Sequence, residues 1–109
     1  MFDFNGKSVL ITGASYGLGE QFAYAFADAG ADLVLTARSE DLLQNVADGC
    51  TAKGSNVIAV TGDVSIEDDV RSVVAAGIDA HGKIDILINN AGIADMRGVA
   101  PEHFDSETF

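Results

Sequence analysis

Gly13, Gly17 and Gly19 offer the first chemistry in the chain, because they stand where an apolar run gives way to an amphipathic one. Without a Cβ these positions permit φ > 0 and let another group come close to the backbone. No Asp, Glu, Thr or Asn stands at the start of the following pattern before Glu20. A helix opening there presents N–H groups and a positive dipole end to an anion from outside, most simply the pyrophosphate of a dinucleotide. Turn chemistry alone is the competing reading, since glycines between a strand and a helix often do nothing more. The spacing is G-x-x-x-G-x-G, not G-x-G-x-x-G. Nor is it a phosphate loop, because Met1 stands where the first glycine of that pattern belongs, ahead of Gly6-Lys7-Ser8.

Other reactive side chains are dispersed. His81, His103 and Cys50 lie far apart in the sequence and lack metal-ligand spacing. Glu67, Asp68 and Asp69 form an acidic triplet, but acids are expected in the first turn of a helix for its dipole alone. Ser15 has no base in its local motif.

The elements that must position these residues follow from periodicity. Val9, Leu10 and Ile11 have no polar alternation, as in a strand buried on both faces, whereas Leu18, Phe22 and Phe26 form an i, i+4, i+8 helical stripe. Strand-like runs recur at Ser8–Thr12, Asp32–Ala37, Asn56–Thr61 and Ile84–Ile88. One helix begins near Ser39, its N-cap, with Leu42, Leu43, Val46 and Ala47 inward and Cys50 serving as a small apolar residue. Another runs from Ile66 to His81 with Val70, Val73, Val74 and Ile78 on one face, Ser65 and Asp68 resembling a capping box. The alternation predicts an α/β fold, a Rossmann-like doubly wound parallel sheet with strand order 3-2-1-4. Ser106-Glu107 reads as the start of a fourth helix.

Composition narrows the partners. Six Lys and Arg against 17 Asp and Glu give a net charge of −11, which argues against nucleic acid. No apolar run approaches a membrane span and Met1-Phe2-Asp3-Phe4 lacks a basic leader, so no membrane association is expected. One cysteine excludes an intrachain disulfide and suits a reducing, cytoplasmic location.

Thr12-Gly13-Ala14-Ser15-Tyr16-Gly17-Leu18-Gly19, Asp63-Val64 and Asn89-Asn90-Ala91-Gly92 fall in this order at the ends of the first, third and fourth strands. Together they resemble the short-chain dehydrogenase/reductase family, whose cofactor pattern is T-G-x-x-x-G-x-G. The resemblance implies that Gly13, Gly17 and Gly19 line the pyrophosphate and helix N-terminus, with Ser15 and Leu18 beside the cofactor. It implies that Asp63 accepts from the adenine amino group while Val64 packs on the ring or offers its backbone. Asn90, Ala91 and Gly92 would pass the ribose and nicotinamide side, with Asn89 tying the fourth strand to its neighbours. Taken singly, Asp63 also reads as a cap ahead of Ser65, and Asn89-Asn90 as turn residues.

Cofactor choice turns on the end of the second strand. An NAD site usually places an acid there for the ribose 2′-OH, whereas Arg accommodates a 2′-phosphate. This chain has Ala37 at that point, followed by Arg38 and Ser39, so NADP is favoured over NAD. Tyr16 stands where some NADP-preferring relatives carry a second basic residue.

The family uses a Tyr, with a Lys four residues later, as its proton donor and acceptor. Here the tyrosines are Tyr16 and Tyr24, followed at that distance by Glu20 and Asp28, so no catalytic residue is assigned. Residues 1–109 are read as the N-terminal part of one NAD(P)-binding domain, inactive alone, from a parent oxidoreductase acting on an alcohol or carbonyl and forming a homo-oligomer. A stand-alone dinucleotide-binding or redox-sensing module is the alternative.

Overall fold

A computed structural model describes residues 3–90. All of β1 (Ser8–Thr12) is buried, as the apolar run Val9-Leu10-Ile11 at its centre requires. It is an inner strand of a parallel sheet, flanked by β2 (Asp32–Ala37) and β4 (Ile86–Asn89), with β3 (Val57–Thr61) beyond β2. The order β3-β2-β1-β4 is the predicted one. Leu10 stands beside Val34 and Leu87, and Val34 beside Ile58, which sets the register across all four strands.

Three crossover helices cover the sheet: α1 (Gly17–Asp28), α2 (Glu40–Ala52) and α3 (Glu67–His81). Because side chains alternate along a strand, β1 and β2 feed two cores. Val9, Ile11, Leu33 and Leu35 pack with Ala23 and Ala27 of α1 and Leu43, Val46 and Cys50 of α2. On the opposite face Leu10 and Val34 meet Val73 of α3.

Helix boundaries and faces depart from the periodic reading in specific ways. Leu18 is 53% exposed, and α1 instead buries Gly19, Ala23 and Ala27, with Phe22 and Phe26 packed at the margin. Small residues let the helix axis approach the sheet, and Phe26 meets Phe4 edge-on at 5.1 Å. Leu42 is exposed while Leu43, Val46 and Ala47 are buried. Val70 and Ile78 are exposed as well, and α3 packs through Val73, Val74 and Gly77. A Cβ on Gly77 would stand 2.9 Å from Val34 Cγ2, so this close packing needs glycine.

Capping also differs. Ser39 occupies the α2 N-cap without a side-chain capping bond. The Ser65–Asp68 capping box does not form: Ile66 is the α3 N-cap, and the Ser65 hydroxyl donates to Asp63 Oδ1 at 2.7 Å. At its other end α3 stops at Gly82 (φ 82°), and His81 Nε2 donates to the Leu33 carbonyl at 2.9 Å. Strand β3 begins at Val57 rather than Asn56, whose amide reaches Asp32. Strand β4 starts at Ile86, and Asp85 just before it accepts the Ser8 N–H through Oδ2 at 2.9 Å. The expected fourth helix lies outside the described residues. Among those residues, no helix is long and apolar enough to cross a membrane.

Candidate functional site

A cleft of about 220 Å³ opens at the carboxyl ends of β1, β2 and β3. This is the edge at which open parallel sheets bind ligands. Its wall brings together Gly13, Ser15, Tyr16, Arg38, Ser39, Asp63 and Val64, seven of the residues singled out from sequence. Thr36, Ala37, Leu42 and Gly62 complete it.

Backbone bonds pin the three strand ends to one another. Ala14 N–H donates to the Thr36 carbonyl at 3.1 Å, hanging the glycine turn on β2. Gly62 N–H donates to the Ala37 carbonyl at 3.0 Å, doing the same for the exit of β3.

Gly13 (φ 62°) and Gly17 (φ 59°) adopt left-handed backbone, which an L side chain resists. A Cβ on Gly17 would meet nothing within 4 Å, so its outer side is open to a ligand. Tyr16, at the α1 N-cap, provides no side-chain capping bond, which leaves that role open to an external acceptor. Gly19 serves differently: it is buried, and a Cβ there would strike the Gly13 carbonyl. Its contribution is the close seating of α1 under the turn. Leu18 is exposed and outside the cleft wall.

Asn90 is buried and its amide donates to the Gly13 carbonyl at 3.1 Å. Beside it, Thr12 Oγ1 donates to Asn89 Oδ1 at 3.1 Å, joining β1 to β4 as the Asn89 reading expected. Ala91 and Gly92 lie outside the described residues.

Across the cleft stand a cation and an anion. Arg38 and Ser39 are exposed at the end of β2, and no carboxylate occupies position 37. The Ser39 hydroxyl makes no capping bond to α2. Asp63 Oδ1 accepts from both the N–H and the hydroxyl of Ser65, at 2.9 and 2.7 Å. These bonds hold the Asp63 carboxyl below the usual carboxylate range, and the Arg38 charge adds to the effect. Asp63 therefore stabilises its own turn and remains an anionic acceptor in the wall.

The sequence reading gives Thr36, Leu42 and Gly62 no place in the site, and Leu42, expected inward, lines the cleft instead. Leu42 follows Arg38 by four residues, a spacing that points it to the cleft, but its apolar character read as core. Thr36 is fully buried, and its hydroxyl has no hydrogen-bond partner among the described residues.

Tyr24 is a structural residue, donating to Glu20 Oε2 at 3.0 Å beneath the Lys53 ammonium. Among the described residues no group of His, Cys, Asp or Glu is arranged to hold a metal. The glycine turn, the open N-cap and Arg38 suit the phosphates and ribose of a dinucleotide.

A family model described as short chain dehydrogenase matches residues 7–109. The 11-beta-hydroxysteroid dehydrogenase-like 4A of Arabidopsis thaliana is 51% identical over 94 residues, 85% of this chain and 31% of that protein. The chain thus spans about a third of the length of the curated relatives it matches. Among solved structures, a short-chain dehydrogenase/reductase from Burkholderia phymatum in complex with NAD is 40% identical with a TM-score of 0.76, covering 80% of this chain and 31% of that one. The L-sorbose reductase of Gluconobacter frateurii, complexed with NADPH and L-sorbose, is 39% identical with a TM-score of 0.77, covering 81% and 34%.

Proposed function

The chain belongs to the short-chain dehydrogenase family, and on that premise we propose that it is the N-terminal, cofactor-binding part of an NADP-dependent oxidoreductase. The whole protein would transfer hydride between nicotinamide and an alcohol or carbonyl. Residues 1–109 then form part of one dinucleotide-binding domain, with the groups that handle the substrate elsewhere in the protein.

One observation carries the cofactor choice: Arg38 and Ser39 border the cleft where an NAD site would place an acid, and Ala37 stands there instead. Both cofactors suit the fold, since solved relatives hold NAD in one case and NADPH in another. In this reading Gly13, Ser15 and Gly17 approach the pyrophosphate, with Tyr16 and Leu18 flanking the helix entry. Asp63 and Val64 border the adenine, and Asn90, Ala91 and Gly92 lead toward the nicotinamide. When bound, the dinucleotide supplies or accepts the hydride; the residues here bind and orient it.

The same reading includes a cytoplasmic, homo-oligomeric parent. Its support is a single cysteine, fully buried, and the exposed apolar side chains of Ile78 and Leu87. Titration of the intact protein with NADPH and NADH tests the cofactor choice. NADPH is expected to bind at least about tenfold tighter, the worth of one charged hydrogen bond. Equal affinities would overturn it.

A further inference from the structure

Three acids open α3, and the structure separates their roles. Glu67 pairs with Arg71 at 2.6 Å on the exposed face. Asp68 is exposed, its backbone carbonyl accepting the Ser72 hydroxyl. Asp69 is half-buried, and its Oδ2 accepts the backbone N–H of Asp63 at 2.9 Å. An acid at the third helical position ordinarily turns back to the N-cap N–H. That donor, Ile66 N–H, is already given to the Asp63 carbonyl at 2.9 Å. Asp69 therefore reaches past the cap to the residue that borders the cleft.

Asp63 is consequently held at three points: its carbonyl by Ile66, its carboxylate by Ser65, and its N–H by Asp69. Ser65 belongs to the turn and would move with it, whereas Ile66, the N-cap, is tied into α3 by the Val70 N–H that its carbonyl accepts at 3.1 Å. Asp69 is anchored in a helix, and through Val73 that helix is packed on the sheet. A Cβ on Gly62 would lie 3.5 Å from Asp69 Cβ, so the aspartate also abuts the chain entering the turn. The Ile66 and Asp69 bonds both tie the turn to α3, and of these two the Asp69 bond is the one made by a side chain.

We propose that Asp69 is a positioning residue: by accepting the Asp63 N–H it aims the Asp63 carboxylate into the cleft, which then selects a purine bearing a 6-amino group over one bearing a 6-carbonyl. This rests on the dinucleotide reading above. An ionised carboxylate only accepts hydrogen bonds, so it attracts an amino group and opposes a carbonyl oxygen.

The test titrates the intact protein, by fluorescence, with NADPH and with its hypoxanthine analogue. Wild-type protein is expected to favour NADPH by about tenfold, and Asp69→Ala to cut that ratio to about twofold. Asp69→Asn keeps an acceptor oxygen and restores the ratio. Asp68→Ala removes a charge from the same helical turn without touching Asp63, and leaves it unchanged. Thermal unfolding separates aim from stability, since the two alanine variants lose similar dipole energy. An unchanged ratio in Asp69→Ala, or no recovery in Asp69→Asn, overturns the positioning role while NADPH binding stands. Wild-type binding of NADPH without base discrimination overturns it too. A wild-type protein that does not bind NADPH overturns the dinucleotide reading itself, and this inference with it.

Discussion

Asn90 Nδ2 donates to the Gly13 carbonyl at 3.1 Å, joining two residues 77 positions apart. Gly19 packs against both: a Cβ there would strike that carbonyl and lie 2.7 Å from the Asn90 amide. The helix, the glycine turn and the exit of β4 meet at one point, so each limits how far the others can shift.

Gly19→Ala is therefore expected to destabilise the protein by about 3 kcal/mol, because a backbone carbonyl cannot rotate aside as a side chain can. Gly17→Ala places its methyl in open space and meets only the cost of left-handed backbone, about 1–2 kcal/mol. Urea unfolding of the two variants checks the difference; equal losses would mean the junction is looser than its geometry.

Arg38→Ala is expected to raise the NADPH dissociation constant by about 10- to 100-fold, the range for hydrogen bonds to a charged group. NADH, which has no 2′-phosphate, should change little. Parallel titrations decide it, and matching losses would assign Arg38 to the fold rather than to the phosphate.

Cys50 is fully buried between α1 and α2, and burial pushes its thiol up to about 11. Folded protein at pH 8 should resist alkylation, having only about one thiolate per thousand thiols and no access for reagent. Modification should appear in step with unfolding as urea is added. Rapid labelling without denaturant would contradict the packing.

Asp85 accepts the Ser8 N–H, and this bond, aided by Lys83, holds its carboxyl below the usual range. A carboxyl depressed in the folded state adds stability that is present above the unfolded value of about 3.9 and lost as pH falls through the folded one. The urea midpoint should therefore fall on acidification below about pH 4. Asp85→Asn keeps an acceptor but not the charge, and should lose less between pH 5 and pH 3 than wild type. An unchanged acid limb would locate the effect in other groups, Asp63 among them.

Much of the fold was legible because β1 and β2 carry the unbroken apolar runs Val9-Leu10-Ile11 and Leu33-Val34-Leu35, which fit the inside of a covered parallel sheet. The limits of these two strands agree with the structure residue for residue. Helix faces were harder to read. Periodicity finds large apolar residues, but α1 and α3 reach the sheet through Gly19, Ala23, Ala27 and Gly77, while Leu18, Val70 and Ile78 face outward. Most of the cleft wall was marked by motif and position. Leu42 and Thr36 were passed over because one reads as core and the other as strand. The Asp69 bond had no local signal, since an acid in a first helical turn needs no tertiary partner to explain it.

Strand β1 pairs with β2 some 24 residues on, at Thr12 and Thr36, and with β4 77 residues on, at Thr12 and Asn89. The second pairing closes a long loop before any contact rewards it, a cost that slows folding. During synthesis β1 is made early, yet one of its edges must wait until the other strands and the helices of the described residues have been translated. Until then an unpaired apolar edge is exposed to neighbouring nascent chains. Among the described strands, the one that carries the glycine turn is thus the first made and is paired on both edges only when β4 arrives.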